Sequence, residues 1–101
     1  MATLVISRVA SADQADILQD IGQAAGANVA ETYQDRFTQL FSILVVQPEI
    51  GAPRPELGRA VRLCLVQPYN VYYRFDRARD EVRILRILHG RRDITRGMMT
   101  P

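Results

Sequence analysis

Two stretches of the chain carry apolar residues at the spacing of an amphipathic helix. In the first stretch, apolar side chains fall mostly on one stripe and aspartate and glutamine face elsewhere: Ala15, Ile17, Leu18, Ile21, Ala24 and Ala25. The second stretch repeats the pattern with Val29, Tyr33, Phe37, Leu40, Phe41 and Leu44. Because only a short gap separates the two stretches, we expect an antiparallel helical hairpin.

Polar residues and glycine predict where the first helix begins and ends. Ser11 stands three residues before Gln14, an arrangement typical of a capping box, so the helix is expected to start near Ala12. Gly26 is expected to end it in a left-handed conformation.

The second helix has similar boundary signals. Asn28 and Glu31 repeat the spacing of a capping box, and Pro48 is expected to stop the helix after Val46. The segment that follows, residues 48–58, contains three prolines and two glycines, so we expect a crossing loop without regular structure.

Four short segments have the composition and alternation of β-strands. They are residues 4–7, 61–66, 71–75 and 82–89. A turn at residues 67–70 precedes the last pair, and the polar residues 76–80 are short enough to join that pair as a β-hairpin.

The order strand, helix, helix, strand, strand, strand predicts an α+β fold. An N-terminal strand and an antiparallel two-helix hairpin are expected, the hairpin packing on one face of a small, mainly antiparallel sheet of three or four strands. At 101 residues the chain forms one domain, 1–101, with residues 94–101 as a flexible tail.

Charge is distributed unevenly along the chain. Residues 1–53 contain two arginines and six acidic residues, whereas residues 54–101 contain eleven arginines and five acidic residues. All thirteen cationic residues are arginine, so each one stays charged and offers a planar set of donors to carboxylate or phosphate. The net charge of +2 therefore conceals an acidic first half and a basic second half.

The single cysteine and the absence of a long apolar run indicate a compartment. Cys64 has no partner for an internal disulfide, which favours a reducing environment. No stretch reaches the roughly 18 apolar residues that a membrane helix needs. We therefore expect a cytoplasmic protein without a membrane partner.

The only histidine, His89, is the one candidate for acid–base catalysis. It ends the last strand, where arginines could hold a phosphate while the imidazole moves protons. The alternative is that His89 caps the strand end by a hydrogen bond to the backbone. Tyr69, Tyr72 and Tyr73 have a similar pair of interpretations, since they either stack on nucleic-acid bases or pack the sheet edge.

Other catalytic or cofactor motifs are not found in the sequence. There is no glycine-rich phosphate loop, no nucleophile elbow and no zinc-ligand spacing, and Cys64 lies in an apolar strand where its thiol should be inert. No cofactor and no metal are expected. A binding surface formed by cationic side chains is the better prediction, and its members are Arg62, Arg74, Arg83, Arg86, His89, Arg91 and Arg92.

Taken together, the sequence resembles the RelE/ParE superfamily of small bacterial toxins from type II toxin–antitoxin systems, and most closely its ParE branch. The resemblance spans about residues 4–94. The residues that carry it lie in the first helix, the crossing loop and the hairpin: Ala12, Ala15, Asp16, Ile17, Ile21, Pro48, Gly51, Arg54, Leu57, Arg62, residues 72–75 and residues 84–93.

The resemblance implies a toxin that is neutralised by a cognate antitoxin in a hetero-oligomer. For the ParE branch it implies DNA gyrase as a target that is inhibited by binding, without catalysis and without direct sequence-specific DNA binding by this chain. The RelE branch implies the alternative, a ribosome-dependent mRNA endoribonuclease. In that case His89 would be the acid or base, with Arg62 and Arg86 holding the scissile phosphate.

Overall fold

The computed structural model describes residues 1–100, which form two helices, five strands and two 3-10 turns. The elements in chain order are β1 (Thr3–Ile6), α1 (Arg8–Ala25), α2 (Ala27–Val46), β2 (Ala52–Pro53), a 3-10 turn (Pro55–Leu57), β3 (Val61–Val66), β4 (Tyr69–Asp76), β5 (Glu81–His89) and a second 3-10 turn (Arg96–Met99). The predicted order of helices and strands, the helical hairpin and the α+β class are confirmed.

The strands form one mixed sheet in the order β1-β5-β4-β3-β2. β1 pairs with β5 in parallel, and the other neighbours are antiparallel. The sheet has five strands because Ala52 and Pro53, within the segment expected to lack regular structure, pair with Leu63 and Arg62. Proline has no N–H to donate to a ladder, so this edge position suits Pro53.

Both helices cover one face of the sheet. Phe37, Phe41 and Leu44 of α2 are buried against sheet residues that include Tyr73 and Ile84. These aromatic and aliphatic residues are the ones whose helical or alternating spacing is visible in the sequence. The main core therefore lies between the helical hairpin and the sheet.

The opposite face of the sheet carries a second, smaller apolar cluster. Leu57, Tyr72, Leu85 and Met99 are among its buried members. Within the segment expected to be a flexible tail, residues 96–99 form a 3-10 turn and Met99 is only 2% exposed. The tail up to residue 100 thus packs on the sheet, and the remainder of the predicted tail, Pro101, lies outside the described residues.

A β-bulge in β5 explains why its apolar pattern departs from simple alternation. Tyr72 pairs with Arg86 and Tyr73 pairs with Ile84, so Leu85 is an extra residue in β5. As a result, Ile84 and Ile87 join the helix-side core, whereas Leu85 and Leu88 join the opposite cluster. The bulge thus re-aims the second half of the strand.

The predicted start of α1 is wrong by four residues. The helix begins at Arg8, and Ser7 is its cap: its Oγ accepts from the N–H of Ala10 at 3.0 Å and donates to the carbonyl of Leu85 at 3.1 Å. Ser11 lies inside the helix and is exposed. Ser7 has a second hydrogen bond that Ser11 lacks, because β1 stops pairing with β5 at Ile84 and the Ser7 hydroxyl donates to the next carbonyl, that of Leu85.

Gly26 caps the end of α1, as predicted, and it is also the residue that directly precedes α2. Its φ of 99° lies in the region that favours glycine, although its ψ of 164° is not that of a left-handed helical residue. Because α2 starts at Ala27, Asn28 lies within the helix and makes no capping hydrogen bond. The predicted end of α2 at Val46 is confirmed.

The two helices of residues 1–100 lack the properties of a membrane span. Neither α1 nor α2 combines the length and the apolar character that a bilayer-spanning helix requires.

Candidate interaction site

Arg86, a predicted binding residue, is held in an ion pair with helix α1. Its Nε and Nη2 donate to the carboxylate of Asp13 at 2.8 and 3.0 Å, and the same carboxylate accepts from the N–H of Ile87 at 3.0 Å. The two charged side chains are 14% and 13% exposed. The hydrogen bonds that Arg86 donates to Asp13 raise the pKa of Arg86, against a smaller opposing effect of burial. Arg86 thus joins α1 to the edge of β5.

Arg62 is tied to the loop that follows α2. Its Nη1 donates to the carbonyls of Glu49 and Gly51 at 2.9 and 2.7 Å, and its Nη2 lies 3.5 Å from the Glu49 carboxylate. Glu49 also accepts from Arg77 at 2.7 Å, and this hydrogen bond is the main reason why the pKa of Glu49 is lowered. Arg62 therefore has internal partners for its charge.

Tyr73 holds the same loop from the core side. Its hydroxyl donates to the carbonyl of Pro48 at 2.8 Å and accepts from the N–H of Gly51 at 2.9 Å. Burial is the largest cause of the rise in the pKa of Tyr73 to about 12. A β-carbon at Gly51 would lie 2.7 Å from the tyrosine ring, so only glycine fits without a shift.

Arg74 and Arg83 face each other across the β4–β5 ladder. Arg83 donates to Glu81 at 3.1 Å, and the Nε of Arg74 donates to the carbonyl of Arg59 at 2.9 Å. Two like charges in directly opposed positions disfavour the sheet unless counter-charges are near. Glu81 supplies one such charge within the chain.

His89 makes a hydrogen bond to the backbone at the end of β5, which is the structural alternative to a catalytic role. Its Nδ1 accepts from the N–H of Arg91 at 3.1 Å, and its ring lies edge-on to Tyr69 with 5.8 Å between ring centroids. The side chains of Arg91 and Arg92 are exposed and make no hydrogen bond or ion pair within residues 1–100. The His89 ring is thus used structurally, while the two arginines beside it face solvent.

The three tyrosines do not form a surface for base stacking. Tyr72 and Tyr73 are buried, and Tyr69 packs against Tyr33 and Phe37 beneath the helices. The alternative interpretation is correct in that these rings pack against the sheet, but wrong about the edge, because β4 is the central strand.

The candidate residues do not converge on one point. Arg86 lies beside α1, Arg62 lies at the loop after α2, and Arg91 and Arg92 follow the end of β5. Arg74 and Arg83 are the only pair of the predicted set that the strand register places in direct opposition.

Two further arginines join Arg74 in space although sequence reasoning did not include them in the binding set. Arg59 and Arg96 line a cavity together with Arg74. Arg59 follows Gly58 and Arg96 precedes Gly97, so each flanks a glycine at a turn. That position is a weak signal, because it does not show which turns are neighbours in space.

Neither Cys64 nor a cluster of potential metal ligands forms a reactive centre within residues 1–100. Burial is the largest cause of the raised pKa of the Cys64 thiol, which favours the unreactive protonated form. Within residues 1–100, no three histidine, cysteine, aspartate or glutamate side chains are grouped as metal ligands would be.

The whole arrangement, a helical hairpin on a five-stranded mixed sheet with arginines at its rims, matches a known family. Residues 4–94 match the family model described as the ParE toxin of the type II toxin–antitoxin system parDE. The chain therefore belongs to the ParE toxin family.

A curated relative and one of two similar solved structures agree with this assignment. The chain is 31% identical over 94 residues to Toxin ParE3 of Caulobacter vibrioides, covering 93% of this chain and 92% of the relative. It is similar to a structure of the chromosomal ParDE system of P. aeruginosa, with a TM-score of 0.73, 26% identity, and coverage of 88% of this chain and 96% of that one. The chain is also similar to the RelBE2 toxin–antitoxin complex of Mycobacterium tuberculosis, with a TM-score of 0.56 and 27% identity. The match covers 87% of this chain and 96% of that one.

Proposed function

We propose that this toxin inhibits DNA gyrase by binding it, and that a cognate antitoxin neutralises the toxin by covering its surface. The observation that carries the proposal is the ParE family match over residues 4–94. The gyrase target is the one that the ParE branch implies, and the proposed inhibition needs no catalytic centre in this chain.

The state of the three candidate catalytic residues supports inhibition by binding. Arg86 is engaged by Asp13, Arg62 is engaged by the loop after α2, and the Nδ1 of His89 accepts a backbone hydrogen bond. A ribonuclease would need these groups to converge on one phosphate. Their separate partners make that convergence costly.

Charge and exposure support a role for Arg91 and Arg92 in binding the partners. Arg91 and Arg92 follow the end of β5, and they are the two arginines of the predicted set whose side chains are exposed, so carboxylates can reach them. Arg74, Arg83 and His89 belong to the same proposed surface. Arg62 and Arg86 would contribute mainly by keeping the sheet and its loop in place.

A RelE-like ribonuclease is the second candidate function. The similarity to the RelBE2 complex favours it, since that structure has the same fold at 27% identity. In this case His89, Arg86 and Arg62 would have to leave their internal partners when the ribosome binds.

The two functions are separated by comparing gyrase with the ribosome as targets. We expect the purified chain to inhibit supercoiling by gyrase or to produce gyrase-linked DNA breaks, and to leave ribosome-bound mRNA intact. His89→Ala should still arrest growth. If the chain instead cuts ribosome-bound mRNA at defined codon positions, and the His89→Ala variant does not, the chain is a ribonuclease.

The proposed surface is tested with charge-reversal variants. Arg91→Glu together with Arg92→Glu should weaken the affinity for antitoxin or gyrase by about tenfold or more, because charge-assisted contacts become repulsive. The control is Arg8→Glu together with Arg79→Glu, which makes the same charge change at exposed positions elsewhere. Equal affinities for the two double variants would remove Arg91 and Arg92 from the interface.

A further inference from the structure

A cavity on the sheet face away from the helices is lined by three arginines. It has a volume of about 170 Å³ and lies between the turn before β3, strand β4 and the C-terminal 3-10 turn. Arg59, Arg74 and Arg96 line it together with the buried side chains of Leu57 and Met99. Among residues 1–100, no aspartate or glutamate lines this cavity.

Arg74 is fixed in place at the cavity wall. Its Nε donates to the carbonyl of Arg59 at 2.9 Å, which leaves the terminal nitrogens of its guanidinium for a ligand. Gly58 packs closely beside it, since a β-carbon there would lie 3.5 Å from Nη2. A guanidinium that is held before the ligand arrives loses less conformational entropy on binding.

The other two arginines have no counter-charge within residues 1–100. The side chains of Arg59 and Arg96 make no hydrogen bond or ion pair there, whereas Arg62, Arg77 and Arg86 each have a carboxylate partner. Three guanidinium groups around one small cavity create a positive potential that favours an oxyanion.

The apolar side of the cavity indicates what carries the anion. Leu57 and Met99 belong to the second apolar cluster, against which Ile94 and Met98 also pack. A ligand that enters the cavity therefore contacts aliphatic surface and cations together. Nucleic acid fits less well, because no aromatic side chain among residues 1–100 lines the cavity on which a base could stack.

We propose that this cavity binds the carboxylate of a glutamate or aspartate side chain carried by an acidic and apolar peptide segment. The inference rests on the proposed function in one respect: it assigns the segment to the antitoxin. The apolar neighbours of that carboxylate would lie on the cluster formed by Leu57, Ile94, Met98 and Met99.

The site is tested with a labelled synthetic peptide of alternating glutamate and leucine, its glutamine counterpart of the same length, and a single-stranded oligonucleotide. Fluorescence anisotropy measures affinity, and amide chemical shifts of Gly58, Arg59 and Gly97 locate the contact. We expect the glutamate peptide to bind at least about tenfold more tightly than the glutamine peptide.

Two variants at exposed positions each remove one guanidinium from the cavity wall. Arg59→Ala and Arg96→Ala should each weaken binding of the glutamate peptide by about tenfold, with Arg79→Ala, at the exposed β4–β5 turn, as the control. Equal binding of the two peptides, tighter binding of the oligonucleotide to the same amides, or equal losses in all three variants would overturn the proposal.

Failure of the cavity and failure of the proposed function give different results. If the chain arrests growth and the affinity of its antitoxin is the same for wild type, Arg59→Ala and Arg96→Ala, the cavity is not the carboxylate site but the function stands. If the glutamate peptide binds as expected while the chain neither arrests growth nor inhibits gyrase, the cavity stands and the function fails.

Discussion

Two groups of arginines in this chain differ in whether their charge is neutralised by the chain's own carboxylates. In the paired region, Arg86 and Arg62 donate to Asp13 and Glu49 and are mostly buried. In the open region, Arg59 and Arg96 line a cavity without any acidic partner among residues 1–100. The same residue type stabilises the fold in one region and is available to a partner in the other.

The paired region also explains part of the charge asymmetry along the sequence. Asp13 and Glu49 belong to the acidic first half, and the arginines that they contact belong to the basic second half. Folding therefore neutralises some of this asymmetry internally. What stays open is a smaller cationic surface than the sequence alone indicates, and this surface is where a partner is proposed to bind.

The largest expected difference between the two regions concerns stability. Asp13→Ala should lower the free energy of unfolding by about 3 kcal/mol, because it leaves a mostly buried guanidinium and the N–H of Ile87 without their acceptor. Arg59→Ala should change it by less than about 0.5 kcal/mol. Urea denaturation measures both, and similar midpoints would show that the Asp13 pair does not stabilise the fold.

The apolar wall of the open region should contribute less than the Asp13 pair. Met99→Ala is expected to lower the free energy of unfolding by about 2 kcal/mol, since it removes a buried side chain from the second apolar cluster. Met98→Ala, at a half-buried position in the same turn, is the matched control and should cost less. Thermal unfolding measures both, and equal losses of stability in the two variants would argue against packing of Met99 on the sheet.

A smaller effect is expected where α1 meets the paired region. Ser7→Ala should cost about 1 kcal/mol, because the N–H of Ala10 and the carbonyl of Leu85 both lose a hydrogen-bond partner. Ser11→Ala, at the position that the sequence favoured as the cap, should be close to neutral. Chemical denaturation measures the stability of both variants. A larger loss for Ser11→Ala than for Ser7→Ala would show that Ser11 caps α1, as the sequence predicts.

The last effect is absent at neutral pH and emerges in alkaline solution. Because the pKa of Tyr73 is raised to about 12, above its ordinary value of 10, the folded state retains a proton that the unfolded chain releases. Stability should therefore be fully present below pH 10 and decline as the pH rises toward 12. Tyr73→Phe should show a shallower decline over this range, and denaturation at several pH values measures the slopes.

Much of the fold was predictable because its signals are local. The apolar stripe of α2, its stop before Pro48 and the β4–β5 hairpin were identified from spacing and composition, and each is confirmed. The missed features depend on partners distant in sequence. Ser7 caps α1 partly because it reaches Leu85, and β2 forms because Pro53 meets Arg62.

The candidate site was less predictable than the fold for the same reason. His89 was placed correctly at the end of β5, and its strand-end hydrogen bond was one of two stated alternatives. Arg86 was assigned to binding, yet Asp13, 73 residues away in sequence, engages it inside the chain. Arg59 and Arg96 were visible as cations but not as neighbours.

Residue types and their spacing were enough to predict the α+β class, the amphipathic helical hairpin and the supply of permanently charged guanidinium groups in the second half of the chain. These properties follow from residue type and short-range spacing. Only the tertiary structure decided which guanidinium groups meet a carboxylate and which are left around an open cavity. Neutralisation of a charge depends on distances of a few ångströms between residues that lie far apart along the chain, and only the packed sheet and helices set those distances.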